Sequence, residues 1–160
     1  MADVVFITPN INGELADESV GTLLLATILS EKGIDCEILQ FFRIGEISDF
    51  GGFVCDALKT IGEIRPKIVS FYTRCDTYHI VLKLAEVIKK TFPDIYIIFG
   101  GPQSDITAEE TVKNVPFVDF VCCGEGENTV YPLFSLLLKN EPDYDVICTH
   151  FSGHILLFNY

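Results

Sequence analysis

The chain has 160 residues, a length that fits one domain built around a single core. Hydrophobic residues make up 49% of it and charged residues 21%, which excludes the compositions typical of disordered chains. The 11 basic and 23 acidic residues give a net charge of -12, and no basic cluster interrupts them, so the sequence disfavours nucleic acid and anionic membranes as partners.

Neither a signal peptide nor a membrane span is visible. The N-terminus lacks a basic segment followed by an apolar one, and no stretch reaches about 18 uninterrupted apolar residues. We therefore expect a cytoplasmic protein. Its cysteines form no C-x-x-C pair and several lie in apolar runs, which predicts buried, reduced thiols. They are Cys36, Cys55, Cys75, Cys122, Cys123 and Cys148.

Short apolar runs alternate with helical patterns along the chain. The runs have strand length and are mostly rich in Val, Ile, Phe or Tyr. They cover residues 4–8, 34–40, 67–72, 95–99 and 118–122, and the helical patterns cover residues 19–32, 53–63, 77–92, 107–113 and 128–138. This alternation predicts an α/β fold, a doubly wound, flavodoxin-like or Rossmann-like five-stranded parallel sheet with helices on both faces.

Ligands of such folds bind beyond the carboxyl ends of the strands, so the strand-end loops are where function is expected. They do not fit the common phosphate-binding motifs. No Gly-Lys pair exists, which excludes a P-loop. In GEGENT, residues 124–129, two carboxylates would repel a pyrophosphate. The first loop, residues 8–19, has one glycine and several acidic residues, unlike an FMN-binding loop, and the acidic residues of a phosphorylated receiver domain are missing.

The sequence assigns no catalytic residue and no metal ligand. Cys148, His150 and His154 have a spacing that could hold a metal, but no fourth ligand accompanies them. His79 lies in the first turn of a helix with Asp76 as the expected N-cap, which favours a surface histidine over a catalytic one. The remaining loops are small and weakly polar, and such loops let a flat, bulky ligand lie against the backbone.

Three of these segments carry a family resemblance. IVSFYT (residues 68–73), IIFGGP (97–102) and CGEGENT (123–129) follow one another at three successive strand ends. Together they resemble the N-terminal cobalamin-binding domain of radical S-adenosylmethionine enzymes, over residues 3–138. The resemblance implies that Gly100 and Gly101 line a slot for the nucleotide tail of cobalamin, together with Ser70 and with Tyr72 in the position of the family's leucine.

The full set of cofactor-binding residues expected from the resemblance and the strand-end loops is Thr8, Pro9, Asn10, Ser70, Tyr72, Thr73, Gly100, Gly101, Pro102, Gly124, Glu125 and Gly126. Glu125 is a candidate for hydrogen bonds with ribose hydroxyls or corrin amides. Glu127 is expected to stabilise the N-terminus of the following helix.

The chain also departs from related patterns. The loop after the first strand contains no histidine, so cobalamin is expected to bind without a histidine as lower ligand, and Asn10 or Asn12 is a candidate neighbour of the cobalt. The C-x-x-x-C-x-x-C motif is absent, so we expect the 4Fe-4S cluster and S-adenosylmethionine only in a further domain, in cis or in trans. Residues 1–138 would form the cobalamin-binding domain and residues 139–160 a truncated tail leading to the missing domain.

Two alternatives remain open at this point. The domain could have lost its ligand and serve as a docking module, with residues 22–29 and the Phe41-Phe42 pair as an apolar surface. A small flavin- or nucleotide-binding protein is the other. In the main hypothesis this chain binds the cofactor and is not catalytic by itself, whereas the parent protein is a radical S-adenosylmethionine enzyme such as a methyltransferase.

Overall fold

A computed structural model describes residues 2–10, 19–42, 50–139 and 155–157. The strands are β1 (Val4–Asn10), β2 (Cys36–Phe42), β3 (Ile68–Tyr72), β4 (Tyr96–Gly100), β5 (Phe120–Cys122) and β6 (Ile155–Leu157). The helices are α1 (Val20–Glu31), α2 (Phe50–Ile64), α3 (Tyr78–Thr91), α4 (Pro102–Asn114) and α5 (Val130–Leu137). The predicted metal spacing at Cys148, His150 and His154, and Asn12, lie outside the described residues.

The strands form one sheet in the order β2-β1-β3-β4-β5-β6. The first five strands pair in parallel, which confirms the predicted doubly wound fold, and β6 adds an antiparallel strand beside β5. The order reverses between β1 and β3. In parallel sheets such a reversal opens a crevice at the carboxyl ends of the strands, because the helices after the two strands lie on opposite faces.

The two faces of the sheet are covered by different helices. Helices α2, α3 and α4 pack on what we call the closed face, where the cross-strand row is Ile7, Phe71, Phe99 and Val121. Helices α1 and α5 pack on the open face, where the corresponding row is Phe6, Ser70, Ile98 and Phe120. Neighbouring residues of a strand point to opposite faces, so each strand contributes one residue to each row.

Two predicted helix starts need correction. Helix α4 begins at Pro102 rather than at residue 107, and Thr107 is a kink inside it with φ -115° and ψ 15°. Proline is favoured at the first helical position, because the missing N–H is not needed there. The N-cap of α3 is Thr77 rather than Asp76, whose carboxylate instead pairs with Arg74 at 2.9 Å.

The cysteines are less uniform than the sequence suggested. Cys36, Cys122 and Cys123 are partly buried, but Cys55 and Cys75 are exposed, so the expectation of buried thiols is wrong for those two. The described cysteines are all free. In the described part of the chain, no helix is both long and apolar enough to cross a membrane.

Candidate functional site

A pocket of about 280 Å³ opens at the carboxyl ends of β3, β4 and β5, and Phe6 of β1 also lines it. It reaches down the open face between the sheet and helices α1 and α5. Its walls are mostly apolar, with side chains from the strands and from both helices: Phe6, Leu25, Ile98, Val130 and Phe134. Its position at the strand-order reversal is the one that a doubly wound sheet favours for a ligand.

Ser70 forms the floor of this pocket. In the cross-strand row of the open face it lies between Phe6 and Ile98, so it is the one small side chain among larger ones. It is 8% exposed, and its hydroxyl borders the open space of the pocket and makes no hydrogen bond with another described residue. A ligand or a water in the pocket can therefore bond to it.

The two glycines after β4 have different roles. A Cβ added at Gly100 would meet no atom within 4 Å, so the missing side chain leaves space that belongs to the pocket. Gly101 has φ 102°, and its added Cβ would lie 2.9 Å from the Thr73 carbonyl and from the Tyr72 ring. Glycine is therefore required at Gly101 by the backbone and its neighbours, whereas at Gly100 it keeps the pocket open.

Thr73 lies behind the pocket and joins two of its loops. Its side chain is completely buried, and its Oγ1 donates to the Gly100 carbonyl at 2.9 Å. The same oxygen accepts from the Ser104 N–H at 3.0 Å, which satisfies one of the free amides at the start of α4. Since the N-cap of α4 is Gly101 and offers no side chain, Thr73 supplies the capping bond from the neighbouring strand end.

The rim of the pocket is acidic. Asp105, Glu125 and Glu127 line it, and no Lys, Arg or His is among the lining residues that the structure describes. The α5 amides of Thr129 and Val130 donate to the Gly126 carbonyl at 3.0 and 2.8 Å. Among the described residues, Glu127 makes no bond with this helix end. Three carboxylates at the rim disfavour polyphosphate ligands and favour ligands that present N–H donors.

The thiols near the pocket are not reactive groups. Burial raises the pKa of Cys122, which lines the pocket, to about 12. Burial, and then the charge of Asp105, also raise the pKa of Cys123. Both thiols therefore stay protonated near neutral pH and are poor nucleophiles and poor metal ligands. Within the described ranges, no three His, Cys, Asp or Glu side chains form a group able to hold a metal ion.

The pocket brings together eight of the residues expected from sequence: Ser70, Tyr72, Gly100, Gly101, Pro102, Gly124, Glu125 and Gly126. Thr8, Pro9 and Thr73 are buried and do not line it, and the side chain of Asn10 lies outside the described part. The helix residues Thr22, Leu25 and Phe134 also line the pocket, and they were not predicted to bind the cofactor. Apolar periodicity marks the side of a helix that faces the sheet, but it does not mark where a pocket interrupts the contact.

The B12 binding domain family matches this chain over residues 14–133. Among curated proteins, the chain is 24% identical over 86 residues to the cobalamin-dependent radical SAM methyltransferase TokK of Streptomyces tokunonensis. That match covers 54% of this chain and 13% of TokK. This chain is also 30% identical over 84 residues to the uncharacterized methyltransferase PH0819 of Pyrococcus horikoshii. That match covers 52% of this chain and 18% of PH0819.

Among solved structures, the chain resembles the radical S-adenosylmethionine methyltransferase TsrM from Kitasatospora setae. The structure with cobalamin and a [4Fe-4S] cluster superposes with a TM-score of 0.67 at 15% identity, covering 98% of this chain and 29% of TsrM. The TsrM structure with tryptophan and a SAM analogue superposes with a TM-score of 0.65 at 17% identity, covering 85% of this chain and 26% of TsrM. The chain thus spans less than a third of each of these proteins. At such identities the structures establish the fold, and the family match, over three quarters of the chain, shows that it belongs to the B12 binding domain family.

Proposed function

We propose that this chain is a cobalamin-binding module that holds the cofactor at the carboxyl ends of β1, β3, β4 and β5. The observation that carries the proposal is the space beside Gly100, where an added Cβ would meet nothing within 4 Å and would instead enter the pocket. A flat ring system can lie against a strand end only where side chains are missing. The family match supplies the class of ligand.

The pocket residues fit one part of cobalamin better than the whole. A volume of about 280 Å³ is at the lower end for pockets that enclose an organic ligand, so it suits the planar base of the nucleotide tail. The apolar walls remove the faces of that base from water, and the Ser70 hydroxyl offers one hydrogen bond at the floor. The corrin ring would then lie over the strand ends, where the carboxylate of Glu125 can accept bonds from its amide groups.

The role of the chain is to bind, orient and desolvate the cofactor. Bound cobalamin supplies a cobalt centre that can carry a methyl group, and the protein contributes its placement. We propose that no histidine is the lower ligand, since the loop after β1 has none in its sequence and His79 on α3 is not among the pocket residues. The side chains that line the pocket provide no group for catalysis of their own.

We further propose that a radical S-adenosylmethionine domain, in cis or in trans, works with this module. The longer relatives TokK and TsrM, named as radical SAM methyltransferases, support this pairing. In the proposed arrangement the 4Fe-4S cluster and S-adenosylmethionine belong to that domain and cobalamin to this one. In this view residues 1–138 carry the cofactor-binding part of the module, and residues 139–160, which include β6 of the same sheet, lead toward the partner domain. A cytoplasmic location is part of the proposal and rests on the sequence.

Anaerobic titration with hydroxocobalamin tests the proposal. The protein is desalted after titration and its visible spectrum is recorded. We expect retained corrin absorbance of the base-off form, and we expect Gly100→Leu to weaken binding at least about tenfold, because its side chain fills the slot. The matched control is Gly51→Leu on α2. A Cβ added at Gly51 also meets nothing within 4 Å, but Gly51 does not line the pocket.

The choice of Gly100 avoids a confounded result. A substitution at Gly101 would strain the backbone and collide with Thr73 and Tyr72, so loss of binding there would not separate misfolding from blockage. Equal far-ultraviolet circular dichroism of the wild type and both variants establishes that they fold alike. Failure of the folded wild type to retain cobalamin, or equal affinity of wild type and Gly100→Leu, would contradict the proposal.

One observation favours the docking alternative. Helix α1 exposes three apolar side chains beside the pocket, with Val20 75%, Leu23 41% and Leu24 43% exposed. Such a row is typical of a surface that another domain covers. The side chains of the predicted Phe41-Phe42 pair lie outside the described part. A folded protein that retains no cobalamin, but whose partner domain loses activity on Leu23→Ser and Leu24→Ser substitution, would favour this second function.

A further inference from the structure

The loop between β5 and α5 crosses the mouth of the pocket. At its first glycine, the Gly124 N–H donates to Asp105 Oδ1 of α4 at 2.7 Å. At its last glycine, Gly126 lies against Leu25 of α1, where an added Cβ would come within 3.1 Å of the leucine. The loop, residues 124–126, therefore spans from α4 on one side of the mouth to α1 on the other.

The two ends of this loop are held differently. Gly126 is fixed by packing against Leu25 and by its carbonyl, which accepts the first amides of α5. Gly124 is exposed, has φ 75°, and an added Cβ would meet no atom within 4 Å. There is thus free space on the side of Gly124 where a Cβ would lie, and the bond to Asp105 is the hydrogen bond that orients its peptide N–H.

We propose that Asp105 is a positioning residue of the pocket: by accepting the Gly124 N–H, it sets the path of residues 124–126 and thereby the width of the pocket mouth and the location of Glu125. This inference rests on the proposed function, since it assigns a ligand-related role to the loop. It differs in kind from the cofactor contacts, because Asp105 acts through the Gly124 peptide. Its essential property is an acceptor oxygen at this distance, not a negative charge.

The test compares Asp105→Asn, which keeps an acceptor oxygen, with Asp105→Leu, which has similar size and no acceptor. Asp105→Ala also removes the acceptor oxygen, and it does so without adding a bulky side chain. Asp105 is exposed, so all of these variants are expected to fold. The matched control is Glu109→Leu, which removes another exposed carboxylate of α4 that does not line the pocket.

The first readout needs no cofactor. In the wild type and in Asp105→Asn, amide hydrogen exchange measured by NMR is expected to show protection of the Gly124 N–H. In Asp105→Leu and Asp105→Ala, exchange of this amide should be at least about tenfold faster, because the lost bond opens the peptide to solvent. Exchange in the interior of β4 and of α3 should stay the same in all variants.

The second readout is the affinity for hydroxocobalamin from a spectral titration. We expect about tenfold weaker binding for Asp105→Leu and Asp105→Ala, and a change below about threefold for Asp105→Asn and Glu109→Leu. Two results would overturn the inference: unchanged Gly124 exchange in Asp105→Leu, or affinity loss in Asp105→Asn equal to that in Asp105→Leu. Faster Gly124 exchange with unchanged affinity would overturn it as well, because the loop would then not control the pocket. If the wild type binds no cobalamin, the proposed function fails, and the exchange data still decide whether Asp105 holds the loop.

Discussion

The closed face and the open face of the sheet share the same strands but carry side chains of different size. On the closed face, Phe71 and Phe99 lie side by side, with their ring centroids 5.6 Å apart at an interplanar angle of 73°. At the preceding position of β3, on the open face, Ser70 occupies the corresponding place in the row. The closed-face row has two adjacent aromatic rings at its centre, and the open-face row has the small hydroxyl side chain of Ser70 at the matching place.

The difference shows how little a doubly wound sheet must change to make a binding site. The backbone of β3 is the same for both faces, so its register and twist do not create the pocket. The gap arises from the small side chain of Ser70 and from the missing side chain of Gly100 at the end of the next strand. Stability is therefore expected to depend mostly on the closed face, and ligand binding mostly on the open face.

The largest expected effect on stability is at Phe71. Phe71→Ala removes a fully buried ring that packs against Phe99, and should lower the free energy of unfolding by about 3–5 kcal/mol. Ser70→Ala, one residue away, removes a hydroxyl with no described partner and should change the free energy of unfolding by less than about 0.5 kcal/mol. Urea denaturation of the cofactor-free proteins measures both. Similar losses for the two variants would show that the open face is as tightly packed as the closed one.

A smaller effect is expected from the polar contacts at the amino end of the sheet. Beside the closed face, Asp119 accepts from Lys89 Nζ of α3 at 2.9 Å and from the Ile97 N–H of β4 at 2.7 Å. Asp119→Ala leaves both donors without this partner in a partly buried place, and should cost about 1–3 kcal/mol. Beside the open face, Lys67 makes one exposed bond, to the Leu138 carbonyl at 2.9 Å.

Lys67→Ala is the matched control for Asp119→Ala, and we expect a change within about 0.5 kcal/mol for it, because an exposed contact is replaced by water. Asp119→Asn keeps an oxygen for the Ile97 N–H, so its loss in the free energy of unfolding should lie between those of Lys67→Ala and Asp119→Ala. Chemical denaturation of the three variants gives the order directly. Equal destabilisation by Lys67→Ala and Asp119→Ala would mean that the exposed contact of Lys67 contributes as much to stability as the partly buried contacts of Asp119.

The sequence predicts the features that repeat along the chain. Apolar runs of strand length alternate with helical patterns, and this is enough for the parallel sheet and the helices on both faces. It also identifies strand-end positions such as Ser70 and Gly100, since a ligand of this fold lies at the carboxyl ends of strands. The sequence of residues 139–160 indicates extended structure, but it does not predict that Ile155–Leu157 joins this sheet as a sixth strand, because three residues are too few to carry a periodic pattern.

The sequence does not predict contacts between segments that are far apart in the chain. A glycine pair does not reveal that Gly101 has φ 102° beside the Tyr72 ring while Gly100 leaves free space. The sequence also does not reveal that Thr73 caps α4, because capping is expected from the residue just before a helix. The bond from Gly124 to Asp105 joins a loop residue to a residue of α4 that lies 19 positions earlier in the chain, and it too follows only from the folded arrangement.

The smallest effect concerns how the helices of each face are joined. On the closed face, the Tyr78 hydroxyl of α3 bonds to Thr111 Oγ1 of α4 at 2.6 Å, and Thr111 is 3% exposed. Tyr78→Phe keeps the ring against Phe99 and removes this bond, so it should lower the free energy of unfolding by about 1 kcal/mol. A double-mutant cycle with Thr111→Val should give a coupling energy of similar size.

The open-face counterpart is Tyr131 of α5, whose ring lies 5.7 Å from Lys32 Nζ and whose hydroxyl has no described partner. Tyr131→Phe keeps that contact and should change stability by less than about 0.5 kcal/mol. Thermal and urea unfolding of both phenylalanine variants would distinguish the two faces. If Tyr78→Phe were as neutral as Tyr131→Phe, the hydrogen bond between α3 and α4 would not contribute, and the larger share of the closed face in stability would have to come from ring packing alone.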